Sequence, residues 1–338
     1  DHVQHGKVTG VTADLALAQA QLQWRDPQTA NLALQQIQGR FVGNWQERNW
    51  RLEGHDFSFL HTDGSLWPSS NWAVSGVAGG TALRTRVELD FADLGMASKV
   101  VRALPVSASV QDAIAKWMPQ GELRQLQLQW QASGQYQASG RVAKLMLQPQ
   151  PAPQGGVGVP GVEGLSAAFD LNTNGGKASL DMQSGALHFP GVFEEPKVAL
   201  DALQAQLRWT VKNGHVKVDV SQAQFANTDA QGTLQAIWQM GETAQARLPG
   251  HLQLQGVLQR ADGARVHRYL PLAVPEMARH YVRDSVKQGQ GSHVEFEVRG
   301  NLQDMPFDRP GSGRFWIKAP VKDVIYEFVP PALHAAGT

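Results

Sequence analysis

Cysteine is absent from the 338 residues, which removes disulfides, cysteine-ligated zinc and thiol catalysis together. Charge is scarce as well. Asp, Glu, Lys and Arg make up 18% of the chain, against roughly 25% in an average soluble domain. The 30 basic and 30 acidic residues cancel, and no long basic run occurs, so neither a nucleic acid nor an anionic membrane surface has an electrostatic footprint here. No apolar stretch approaches the roughly 20 residues of a membrane-spanning helix; the longest clusters, such as Tyr269 to Pro275, are short and broken by proline. A signal peptide is also lacking. The chain starts without methionine inside an apparent strand and therefore reads as a piece of a longer protein.

What is present is apolar residues, at 42%, and glutamine, whose 35 copies outnumber lysine and arginine together. The dominant pattern is period-two alternation, which gives a strand two chemically different faces. It runs through Val87-Glu-Leu89-Asp-Phe91, Leu126-Gln-Leu128-Gln-Trp130, Val216-Lys-Val218-Asp-Val220, Leu252-Gln-Leu254 and Val294-Glu-Phe296-Glu-Val298. Leu22-Gln-Trp24 and Leu207-Arg-Trp209 repeat it. Thr62-Asp-Gly64, Asn174-Gly-Gly176, Lys212-Asn-Gly214 and Ala261-Asp-Gly263 supply turn chemistry between strands. Together these predict antiparallel meanders of roughly 18 to 20 strands.

The stretch from Phe59 to Gly134 resembles that from Phe225 to Gly300 at an offset of about 166 residues. Phe59, Thr62, Asp63 and Trp72 fall on Phe225, Thr228, Asp229 and Trp238. Val100, Arg102, Leu104 and Pro105 fall on Val266, Arg268, Leu270 and Pro271. In each half a helix follows the Arg-x-Leu-Pro. Ser109 to Met118 sets Val110, Ile114, Trp117 and Met118 on one face, with Ser107 or Ser109 to cap it. Pro275 to Lys287 opens on proline and places Met277, Tyr281 and Val282 on one side. The Pro- and Gly-rich stretch from Gln148 to Gly158 is the boundary, giving domains 1–158 and 159–338.

Catalytic constellations are missing. The sequence has no H-E-x-x-H, G-x-S-x-G, P-loop or strand-bound G-x-G-x-x-G. His2 and His5 have a metal-like spacing but no neighbouring ligand. The Glu194-Glu195 pair sits in a proline-flanked turn and reads as a solvated loop. The expectation is a protein that is not an enzyme, with no cofactor and no metal. Tryptophans in alternating strands (Trp24, Trp130, Trp209, Trp238) serve equally as the filling of a sealed sandwich core or as the lining of an open apolar face.

The C-terminal half carries Tyr269-Leu-Pro271, a helix, Val294-Glu-Phe296-Glu-Val298-Arg-Gly300-Asn-Leu302, Met305-Pro-Phe307, Gly313-Arg-Phe315 and Val324-Ile-Tyr326. This series resembles the YhdP family of AsmA-like envelope proteins. It covers residues 257–330, and it departs from the family at Val329-Pro-Pro331, where a Trp-Pro is frequent. The resemblance implies a long antiparallel β-groove; joined to the sequence repeat, the expected fold is mainly β, an elongated, twisted antiparallel β-groove built from two repeats of about 166 residues, each with one short amphipathic helix. It implies a bridge-like carrier of phospholipid or another acyl-chain lipid between inner and outer membranes, in the periplasm of a Gram-negative bacterium. The full-length protein would be anchored in the inner membrane by parts outside this chain. Leu22, Trp24, Val87, Leu89, Phe91, Leu126, Leu128, Trp130, Val216, Val218, Val220, Leu252, Leu254, Val294, Phe296 and Val298 are then expected to line the groove. Val110, Ile114, Trp117, Met118, Met277 and Tyr281 would form a rim or gate helix. Two other readings stand beside it: an envelope scaffold binding protein by strand addition, and a carbohydrate-binding or carbohydrate-cleaving β-solenoid with exposed tryptophans.

Overall fold

The computed structural model describes residues 2–4, 7–22, 32–77, 84–103, 108–152, 156–242 and 247–328. It is mainly β: eighteen strands belong to one sheet, and the pairings between them are antiparallel. Trp24, Leu104, Pro105, Ser107 and Val329–Pro331 lie outside the described residues. The chain divides into two compact units, Asp1–Leu147 with Ser166–Thr173, and Gln148–Leu165 with Asn174–Thr338.

The first unit is a meander. Its strands are β1 (His2–Gln4), β2 (Lys7–Leu22), β3 (Leu32–Gln46), β4 (Asn49–His61), β5 (Leu66–Val77), β6 (Arg84–Asp93), β7 (Gln120–Gln131) and β8 (Tyr136–Leu147), with part of β9 (Gly161–Asn172). From β2 to β8 each strand pairs with the next in sequence. Between β6 and β7 stand α1 (Leu94–Arg102) and α2 (Ala108–Trp117). The second unit contains β10 (Gly175–His188), β11 (Lys197–Lys212), β12 (His215–Ala226), β13 (Ala230–Gln239) and β14 (His251–Asp262). A 3-10 turn, Gly263–Tyr269, leads into α3 (Glu276–Ser285). Then come β15 (Val286–Gly291), β16 (Val294–Asn301), β17 (Gly313–Lys318) and β18 (Val321–Tyr326). Here β14 pairs mainly with β16, while β15 bridges from the end of β14 to β18.

The expected single helix per unit needs correction, because the first unit has two. The alternation of β6 masks the start of α1. Asp93 ends the strand and its carboxylate accepts from the Met96 amide at 2.7 Å, capping the helix. Met96, Val100 and Ala103 then turn one face inward. Lys99 and Arg102 lie in its last turn, where they complement the helix dipole. At the corresponding place in the second unit Asp262 accepts from the Ala264 amide at 3.0 Å. Ala261-Asp-Gly263 is therefore a capped 3-10 start rather than a hairpin turn. Of the other two helices, α2 has the expected length but starts and ends one residue earlier, at Ala108 and Trp117, while α3 is shorter than expected and spans Glu276–Ser285.

The buried core of the first unit gathers Leu32, Leu34, Phe59, Trp67, Ala92, Met96 and Ala103. Phe59 and Trp67 stack at 5.4 Å, and the Trp67 indole donates to Ser70 Oγ at 2.8 Å. Met96 brings α1 into this cluster, so that helix is core and covers one end of the sheet's apolar side.

Candidate functional site: an apolar sheet face in each unit

Residues directly opposite each other on antiparallel strands project to the same side, so the register defines the face. In the first unit it builds three rows across β3 to β8. One runs Phe41, Gly54, Trp72, Leu89, Leu126. The next runs Gly43, Leu52, Val74, Val87, Leu128, Ala138, and the third Trp45, Trp50, Gly76, Thr85, Trp130, Tyr136. None of these residues is charged. The rows are two residues apart, making a strip about 14 Å wide. Much of it is open: Trp45 is 41%, Leu52 40%, Trp130 40% and Tyr136 44% exposed.

The second unit has four rows across β10 to β17. They run Gly176-Trp209-Val218-Trp238-Leu252-Gly300, Ala178-Leu207-Val220-Ala236-Leu254-Val298-Phe315, Leu180-Ala205-Ala223-Leu234-Gly256-Phe296-Ile317 and Met182-Leu203-Phe225-Gly232-Leu258-Val294. Burial is graded along them. Met182 is 1% and Val294 5% exposed, whereas Ile317 at the β17 edge is 46% exposed.

Intervening residues face the other way and are mostly polar, with Val42, Ala73, Ile237 and Val257 among the exceptions. In the first unit Arg51 bonds Glu53 at 2.5 Å and reaches Glu88 at 3.3 Å; beside the Arg51 guanidinium, the Glu53 carboxyl sits below its usual range. In the second, Gln255 donates to Gln235 at 3.4 Å and Trp316 donates to Glu297 at 2.6 Å. The glutamines thus supply a wettable face without net charge. Hollows of about 860 Å³ and 380 Å³ open on this polar side, one lined by Arg51, Glu88, Gln127 and Arg141, the other by Asp219, Gln253 and Glu297. A twisted sheet is saddle-shaped and hollow along one diagonal on each face, so these belong to the twist and do not by themselves mark a ligand site.

Most residues expected to line a groove are brought together within their own unit. Val87, Leu89, Leu126, Leu128 and Trp130 share one face, and Val218, Val220, Leu252, Leu254, Val294, Phe296 and Val298 share the other unit's. Val216 pairs with Val211 beyond the first of these rows. Phe91 leaves the pattern, with the Arg124 guanidinium 5.6 Å over its ring. Leu22 pairs with Leu32 at the end of β2. The helix residues differ among themselves. Ile114 and Trp117 are half-buried, Val110 and Met118 are 42% and 47% exposed, and Met277 is 79% exposed. Tyr281 bonds the Phe328 carbonyl and the Tyr326 hydroxyl.

A protein-family model described as YhdP protein matches residues 2–336. The chain belongs to the YhdP protein family. No curated protein and no solved structure gives a significant match. The motifs that first suggested this family have physical explanations. Tyr269 and Arg268 lock the β12–β13 turn: the Tyr269 hydroxyl donates to Asp229 at 2.9 Å, as does Arg268 at 2.5 Å. Asn227 Oδ1 accepts from the Asp229 and Ala230 amides, which shapes the turn itself. Burial, with Asp229 alongside, pushes the Tyr269 phenol up to about 12. The Glu194-Glu195 pair is not a free solvated loop. Glu195 accepts from Arg268 at 2.9 Å, and Glu194 stands 3.7 Å from Arg279 and 3.5 Å from His280. In the first unit Asp63, at the corresponding hairpin, takes Lys99 at 2.5 Å, and that contact holds its carboxyl well below the usual range. In the Arg-Gly-x-Leu segment, the Phe307 ring covers paired Gly300 and Gly313, where a Cβ would strike it. The sequence series already contained both glycines but did not show the ring lying over them, because their pairing is set by the register.

Proposed function

We propose that this chain is part of a bridge-like lipid carrier of the cell envelope, in which acyl chains lie along the apolar faces while head groups stay in water. The observation that carries the reading is the pair of uncharged apolar faces crossing six or more strands, partly exposed and backed by polar residues. A soluble protein rarely leaves so large an apolar patch open without a partner. Hydrocarbon fits it at about 0.8 kcal/mol per buried methylene, with no directional bond to pin the chain in place. Many weak, equivalent contacts let a lipid slide. Membership of the YhdP family supports an envelope role, and a phospholipid moving between inner and outer membranes in the periplasm is the occupant we favour. The chain acts as a track rather than an enzyme.

The test is mass spectrometry of lipid extracted from protein purified without detergent. Phospholipid at near-stoichiometric amounts is the expected result; protein free of lipid, and unable to take it from vesicles, overturns the reading. A scaffold that binds protein by strand addition has one observation in its favour: β18 is exposed throughout, with Val321, Val324 and Ile325 52%, 46% and 54% exposed. A lipid-free protein that still captures an extended β-peptide would decide for it.

A further inference from the structure

On the apolar face of the first unit, three tryptophans lean across glycines. A Cβ built on Gly54 would lie 2.8 Å from Trp72 Cζ2 and nearer still to Nε1 and Cε2. One on Gly76 would lie 2.8 Å from Trp50 Cζ2, and one on Gly43 2.5 Å from Trp45 Cη2. Gly54 and Gly76 sit directly opposite those tryptophans on the neighbouring strand, and Gly43 is two residues from Trp45 on its own strand. The backbone does not demand glycine at these positions, since none of the three has a positive φ. Strand propensity argues against it, because glycine weakens a strand interior. The space above each glycine is what the indole occupies. The second unit repeats the device where Phe296 lies over Gly256, whose Cβ would fall 2.7 Å from Cε1.

We infer that Gly43, Gly54 and Gly76 are positioning residues for the carrier: they let the indoles lie down on the sheet, so that the rows form a low, continuous floor along which an unbranched acyl chain passes. This rests on the lipid-carrier reading and adds what sets the height of the track. A methyl at Gly54 forces the Trp72 ring up and off the sheet. Phe41 and Phe57 stand edge-on to that ring at 6.0 and 6.2 Å and close its sideways exits. The displaced indole then stands in the path of the lipid, and the obstruction comes from geometry alone, with no change of polarity.

The test compares Gly54→Ala and Gly76→Ala with Gly156→Ala, where a Cβ meets only Ala152 at 3.7 Å. Each variant is checked for folding by circular dichroism, then loaded from phosphatidylethanolamine vesicles and assayed for bound lipid. The expected result is a folded Gly54→Ala that carries at least tenfold less lipid, with Gly156→Ala unchanged. The double variant Gly54→Ala/Trp72→Leu, which removes the obstructing ring, should recover lipid. It also decides the case if Gly54→Ala alone fails to fold. Full loading of folded Gly54→Ala and Gly76→Ala overturns the inference, as does a folded double variant that stays empty. If the unmodified protein itself takes no lipid, the carrier reading fails, and the inference with it.

Discussion

Trp130→Glu separates an open apolar face from a sealed core. Trp130 is 40% exposed and neighbours Thr85 and Tyr136 on the third row. A tryptophan side chain buries roughly 150–250 Å² when enclosed. With about three-fifths of that covered, at ~25 cal/mol per Å², the loss is roughly 2–4 kcal/mol, an upper estimate. The new carboxylate reaches water, so no burial penalty adds to this, and a domain with 5–15 kcal/mol of stability stays folded. Val298, at 9% exposure, offers the contrast: a glutamate there has no partner and little water, costs several kcal/mol more, and should unfold the second unit. Gln129→Glu lies on the opposite face against Arg86, 3.0 Å away. It should fall within about 1 kcal/mol of the unmodified protein. The assays are urea unfolding for stability and mass spectrometry for bound phospholipid. Trp130→Glu should fold yet carry little lipid, and Gln129→Glu should do both normally. Unfolding of Trp130→Glu alongside Val298→Glu would show a sealed core, and full lipid loading of Trp130→Glu would refute the track.

Four further outcomes are expected. Asp229→Ala strips Tyr269 and Arg268 of a shared buried acceptor and should cost about 2–3 kcal/mol in chemical denaturation, with Tyr269→Phe milder. Because the folded Tyr269 value lies above that of a free phenol, its contribution is intact below pH 10 and is lost as pH rises toward 12; absorbance titration of the four tyrosines should show a late component that Tyr269→Phe removes. Lys197, then His188, both at 2.7 Å, hold the Glu163 carboxyl below its usual range; that stabilisation is present above the unfolded carboxylate value and lost as pH falls through the folded one, so the melting difference from Glu163→Gln should be present at pH 7 and vanish in acid. Trp117→Ala should cost less than the roughly 3–5 kcal/mol of a buried tryptophan, since α2 exposes Val110 and Met118.

Local pattern was enough to determine the class of this fold. Alternation in segments such as Leu126 to Trp130 and Val294 to Val298 assigned strands and told which residues share a face, because a period of two leaves no choice of side. Residue types did the same for the polar side, where glutamine stands in for charge. The helix α1 was hidden, since Asp93 closes a strand and caps a helix in the same step. Degree of burial was likewise beyond local pattern: Val298 and Trp130 occupy equally alternating strands, yet one is enclosed and the other open. Only the register could match Gly54 to Trp72 and Gly76 to Trp50, and only the chain's return at Arg268 and Tyr269 could turn Asp229 from a hairpin residue into a buried anchor. Alternation is a property of neighbours in sequence, whereas enclosure, ring placement and ion pairing depend on which distant strand arrives opposite.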